Sequence, residues 1–225
     1  MLIRPCRTGR GLTLVELMVG LAVGMLVLVG AMTIMVSLQS TSWRLMVETR
    51  LNQDLRAAAD VVARDLRRGG YWGNAINGTL AVAATGATQQ NPYSLASGST
   101  ANGMVYRFSR DATENDVLDA AEQFGFRLND GVLQMQTASG VWQDLTDSKN
   151  LSMTAFTVTP RETALPLGNL CAKVCAAGTP NCPTTTVRSY VIGLTGRAVR
   201  DSAMVRSMDL SVRVRNDLLQ GQCPA

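Results

Sequence analysis

Gly11-Leu12-Thr13-Leu14-Val15-Glu16 opens onto residues 17–43, a segment without a single charged side chain. A carboxylate at the mouth of such a segment needs a reason. At the centre of a membrane helix an acid is disfavoured by about 2.5–3.5 kcal/mol, less near the interface, and the acids found there are usually paired or functional. Arg4, Arg7 and Arg10 come before it and no acid precedes Glu16, an asymmetry that predicts a cytoplasmic N-terminus. Residues 17–38 are long enough to cross roughly 30 Å of hydrocarbon at about 1.5 Å per residue, so one membrane span is expected. A secretory signal would pair an apolar region of about 7–15 residues with a small-residue cleavage site on its far side. Here the apolar segment is too long and its small residues lie before it.

A short basic leader ending in Gly11, followed by Leu12-Thr13-Leu14-Val15-Glu16-Leu17-Met18, resembles the class III signal of type IV pilins and type II secretion pseudopilins. Those families usually have phenylalanine after the cleaved glycine, where this chain has Leu12. The resemblance implies that a prepilin peptidase cuts between Gly11 and Leu12 and methylates the new amine on Leu12. That cationic amine would lie one helical turn from Glu16, so the two can neutralise each other within a subunit or between neighbours. In an apolar layer an unpaired charge favours docking at one axial offset and penalises the others. Glu16 is therefore the expected assembly residue. A plainer role, an acid favoured by the positive end of the helix dipole, competes with it.

Past the membrane segment the apolar pattern changes. Leu51, Leu55, Ala58, Val62 and Leu66 recur at spacings of three and four, with Arg50, Asp54, Arg56, Asp60, Arg64 and Asp65 mostly elsewhere, which predicts an amphipathic helix. Asp60 and Arg64 have the spacing of an i,i+4 ion pair, and Gly69-Gly70 is a helix stop. From residue 12 to 68 an unbroken helix would be roughly 85 Å long. No proline occurs between Pro5 and Pro92, whereas major pilins usually carry one in the apolar half; the difference points to a minor pilin or pseudopilin. Gly20 and Gly24 form a small-xxx-small face on which another helix can approach closely.

Residues 73–103 are rich in Gly, Ala, Thr, Asn and Ser and read as a loop region, with one short element at 80–84. From Met104 the period becomes two. Met104, Tyr106 and Phe108, then Phe124, Phe126 and Leu128, mark strands, and Asn129-Asp130-Gly131 marks a hairpin turn into Leu133 and Met135. Residues 141–145 and 151–158 read as strands. Met204, Met208, Leu210, Val212 and Val214 alternate with Ser207, Asp209, Ser211, Arg213 and Arg215, a strand with one wet face.

The chain is thus expected to be α+β and pilin-like, a long N-terminal helix packed on an antiparallel sheet. The expected divisions are a cleaved leader at 1–11, a helix at 12–70 with its transmembrane half at about 17–38, and a periplasmic or extracellular head at 71–225 that contains the loop 73–103. The stretches 63–71 and 212–216 look similar to the PilW-type minor pilins. Membership would make the protein a structural component in initiation and assembly of a type IV pilus. Its expected partners are other minor pilins and pilin subunits, the prepilin peptidase, the inner membrane and the inner-membrane assembly platform. It would be held single-pass in the inner membrane before reaching the pilus at the cell surface. Two alternatives carry the same marks: a type II secretion pseudopilin of the J type, and a pilus-tip adhesin or ligand-binding module working through the loop or the cysteine region.

Cys6 lies in the leader, whereas Cys171, Cys175, Cys182 and Cys223 lie in the expected exported head and read as two disulfides with three possible pairings. A zinc site is disfavoured because paired C-x2-C knuckles are missing. Neither a metal nor another cofactor is expected. The chain has no histidine, which removes His-based triads and the commonest general base, so no enzyme is expected and no catalytic residue is assigned. Asp111, Glu114, Asp116, Asp119 and Glu122 form an acidic stretch without the calcium-loop pattern and read as a solvated loop or short helix face. The formal charge of +4 misleads. Losing the leader removes three of 21 basic side chains against 17 acidic ones, leaving a nearly neutral chain. Arg188, Arg197, Arg200, Arg206, Arg213 and Arg215 are concentrated late in the chain, but alternation places several of them on different faces, so nucleic acid is not an expected partner.

Overall fold

In the computed structural model the described residues are 11, 13–78, 91–94, 99–100, 103–176 and 181–224. The chain divides into two compact units, residues 1–47 and 48–225. One helix, α1 (Leu14–Leu66), contributes to both. Thr13 starts it: the Glu16 amide donates to Thr13 Oγ1 at 3.3 Å and the Leu17 amide to the Thr13 carbonyl at 3.1 Å. A threonine at this position satisfies donors that the first helical turn leaves without partners.

Within the first unit every described residue up to Leu45 and Met46 is exposed, and the most apolar 18-residue window of α1 is 0% buried. The second unit begins at Glu48, where the helix turns amphipathic. Leu51, Leu55, Ala58, Ala59, Val62, Ala63 and Leu66 are all buried, at the spacing expected for one helical face. No ion pair joins Asp60 and Arg64; Arg68 pairs instead with Asp65 at 4.0 Å. The helix ends as its glycines direct. Gly70 has φ +74°, a left-handed conformation that glycine adopts without steric penalty, and its amide donates to the Arg107 carbonyl at 2.8 Å. Asn216 Nδ2 donates to the carbonyl of Gly69 at 3.3 Å, so the tail of the chain caps the helix end.

The sequence pattern reads as one sheet, but the chain builds two. The first has the order β1 (Ser99–Thr100), β2 (Gly103–Arg107), β3 (Gln123–Asn129), β4 (Val132–Ala138), β5 (Val141–Asp144), all antiparallel. Asp130 and Gly131 both have positive φ, which gives the two-residue turn between β3 and β4 the twist that antiparallel strands need. The second sheet runs β6 (Leu151–Pro166), β7 (Thr184–Ala198), β8 (Val205–Arg213), with β9 (Leu218–Gln220) also paired to β7. Sequence pattern missed β7 and β9 and stopped β6 eight residues early. A bulge between Met153 and Ala155 shifts the inward phase of β6. Leu151 and Met153 face the core before it, and Phe156 and Val158 after it.

Both sheets fill their inner faces from α1 outward. Tyr106, Phe126, Leu133, Phe156, Ile192 and Leu194 are each no more than 1% exposed. Phe108 and Phe124 stack at 4.2 Å, with the Arg68 guanidinium 5.6 Å from the Phe108 ring centre and that of Arg110 5.7 Å from the Phe124 ring centre. Such cation–π contacts let long cationic side chains cover apolar rings at the rim of a core.

Candidate functional site

The segment expected to carry processing and assembly runs into the first turn of α1. Gly11 is exposed, Leu12 lies outside the described residues, and Glu16 is exposed at the third helical position after the Thr13 cap. Threonine followed three residues later by glutamate is the spacing of a capping box. Sequence reasoning weighed Glu16 and left Thr13 without a role, although that spacing was there to be read. Downstream, Leu17, Met18, Leu21, Met25, Leu28 and Met32 are all more than half exposed. So large an apolar surface calls for lipid or other helices around it.

A second arrangement joins the segment after the helix to the acidic stretch. The Trp72 indole donates to Asp116 Oδ1 at 2.6 Å and Asn74 Nδ2 donates to the same carboxylate at 3.1 Å. Glu114 accepts from the Gly73 amide at 2.9 Å, from the Tyr93 hydroxyl at 2.7 Å and from the Asp116 amide at 3.0 Å. Asn91 Nδ2 reaches the Gly70 carbonyl at 2.9 Å. Two carboxylates therefore fasten the chain on either side of residues 75–90. The expected element at 80–84 lies outside the described residues.

Glu122 is 1% exposed and accepts from the amides of Arg110 and Asp119, both at 2.9 Å. A short 3-10 helix does form at Ala120–Glu122, but the stretch is not simply solvated: Glu114 and Asp116 are engaged by hydrogen bonds and Glu122 is buried. Sequence pattern could not show that backbone amides and an indole from elsewhere converge on them. Partial desolvation pushes the Glu114 carboxyl up, but hydrogen bonds from Ser109, Tyr93, Gly73 and Asp116 outweigh it and hold the group below its ordinary value. Burial, helped by Glu114, pushes the Tyr93 hydroxyl upward. Burial and the neighbouring Asp65 carboxylate do the same to Tyr106. Among the described residues, no three His, Cys, Asp or Glu side chains are placed to hold a metal ion.

The third arrangement is the cysteine cluster. Cys171 is bonded to Cys223 and Cys175 to Cys182, one of the three pairings left open by the sequence. The late arginines do not form one surface. Arg188 is buried, Arg206 is bound to Glu48, and Arg213 is bound to Asp217.

A family model described as prepilin peptidase-dependent protein B matches residues 44–214, and the prokaryotic N-terminal methylation motif matches residues 6–32. The first match spans most of the chain, covering the amphipathic half of α1, the first sheet and β6–β8 of the second. The chain belongs to the prepilin peptidase-dependent protein B family. No curated protein and no solved structure matches it. This family member is a type IV pilin-like protein with a class III signal, and the prepilin peptidase is its processing partner. The motif and the exposed apolar helix together point to single-pass membrane anchoring.

Proposed function

We propose that the chain is a minor pilin that takes part in initiating and assembling a type IV pilus, a structural role without catalysis. The observation that carries this reading is the first unit: an apolar helix with none of its most apolar window buried, entered through one capped acid, Glu16. In the membrane, lipid covers that surface. In a filament, helices of other subunits would cover it, and the methylated amine of Leu12, freed by cleavage after Gly11, would meet Glu16 of its own or a neighbouring chain. Apolar packing supplies attraction without choosing an axial offset. The charge pair supplies the choice.

The head, carried in the periplasm, would present the partner-specific surface once the subunit joins other minor pilins on the inner-membrane assembly platform. Membrane fractionation and pilus counts on Glu16→Ala test the proposal. Normal insertion with few or no pili is the expected result. Undiminished piliation overturns the role given to Glu16, and normal piliation with lost protein secretion in a chain deletion moves the subunit to a secretion system.

A further inference from the structure

The two disulfides are nested. Cys175–Cys182 lies inside the loop closed by Cys171–Cys223, with sequence separations of 7 and 52. Consecutive cysteines would pair differently, as Cys171 with Cys175 and Cys182 with Cys223. We infer that the head reaches its native pairing through exchange with a dithiol isomerase, a partner class set by the fold; this rests on the reading that the head is exported to an oxidising compartment.

A head that crosses the membrane in order from its anchor presents Cys171 and Cys175 before the other two thiols. Their sequence separation is 4, against 52 for Cys171 and Cys223. In an unfolded chain the longer loop closes less often, because the entropic cost of bringing its ends together grows with its length. An oxidant acting then joins the early pair.

What brings Cys223 to Cys171 is tertiary structure. β9 pairs with the start of β7, Thr184 opposite Gln220, and the Gln222 amide donates to the Asn181 carbonyl at 2.8 Å. Across the hairpin Pro166 stands opposite Thr184, and the Leu167 amide donates to the Pro183 carbonyl at 2.8 Å. The tail is held against β7, and the β6–β7 pairing brings the end of β6, next to Cys171, to the same place. In the native pairing Cys171 and Cys175 are buried.

Exchange needs no net oxidant. An isomerase thiolate attacks Cys175 Sγ in a Cys171–Cys175 bridge, forms a mixed disulfide and releases the Cys171 thiolate. Cys171 attacks Cys223 Sγ in the Cys182–Cys223 bridge and releases the Cys182 thiolate. Cys182 attacks Cys175 Sγ in the mixed disulfide and regenerates the isomerase thiolate. Two bridges enter and two leave.

The test expresses the full chain in bacteria with and without a periplasmic dithiol isomerase, blocks free thiols at lysis, and maps the bridges by mass spectrometry of proteolytic peptides. Without isomerase, most of the Cys171–Cys223 linkage should be lost and Cys171–Cys175 should take its place. The Cys175→Ser, Cys182→Ser double variant has one possible pair and should form it equally in both strains; continued dependence there overturns the inference. Native pairing of the wild type in both strains overturns it alone, and decides the matter if the variant does not accumulate. Four free thiols in both strains overturn it together with the export reading.

Discussion

At the scale of single residues the molecule spends its carboxylates on fixed tasks. Glu114 accepts hydrogen bonds from both sides of residues 75–90, and charged acceptors are worth about 1.5–3 kcal/mol in such bonds. Glu114→Ala should therefore lower stability by about 2 kcal/mol, read from denaturant unfolding of the detergent-solubilised chain with tryptophan fluorescence, since Trp72 sits beside the clamp. Because the folded carboxyl is held below its ordinary value, its contribution is complete above the unfolded value near about 4.3 and is lost as pH falls through the lower folded one. The tyrosines work in the opposite direction. Tyr93 and Tyr106 are raised in the folded state, so their contribution holds below about pH 10 and is lost as pH rises through the folded values. A stability profile that stays flat above pH 10 would contradict this. Glu16 was legible because its surroundings are uncharged; Glu114 was not, because its donors come from residues 73 and 93, far along the chain.

At the scale of elements, α1 shows how far periodicity carries. The buried face from Leu51 to Leu66 follows the spacing in the sequence, because a helix places its own residues three and four apart on one side. Leu55 is 1% exposed within that face, and Leu55→Ala should cost about 3 kcal/mol in the same unfolding measurement, whereas Leu26→Ala, on the exposed apolar stretch, should leave it unchanged. The strands were less legible. In β6 the bulge breaks the alternation, and in β7 the inward positions include Arg188 and Gly196 beside Tyr190, Ile192 and Leu194, so the period-two signal is diluted. β9 has only three residues and exists through its pairing with β7.

Across the whole molecule, the nested cysteines make the second unit depend on its last residues. A disulfide's effect through the unfolded chain grows with the loop it closes, so removing Cys171–Cys223 should cost about 4 kcal/mol and removing Cys175–Cys182 about 2 kcal/mol, each measured on the paired serine variant by chemical unfolding. Equal losses would mean that loop length is not what sets the contribution. The sequence by itself determined the class III signal, the apolar segment with its one acid, the amphipathic half of the helix and the change to strand periodicity. Each of these is a property of neighbours within a few residues, and local spacing is enough to express it. Only the tertiary structure decided the split into two sheets, the capping of the helix end by Asn216, the engagement of the acidic stretch and the choice among three cysteine pairings. These join residues dozens of positions apart, and which of them meet depends on how the strands return along one another.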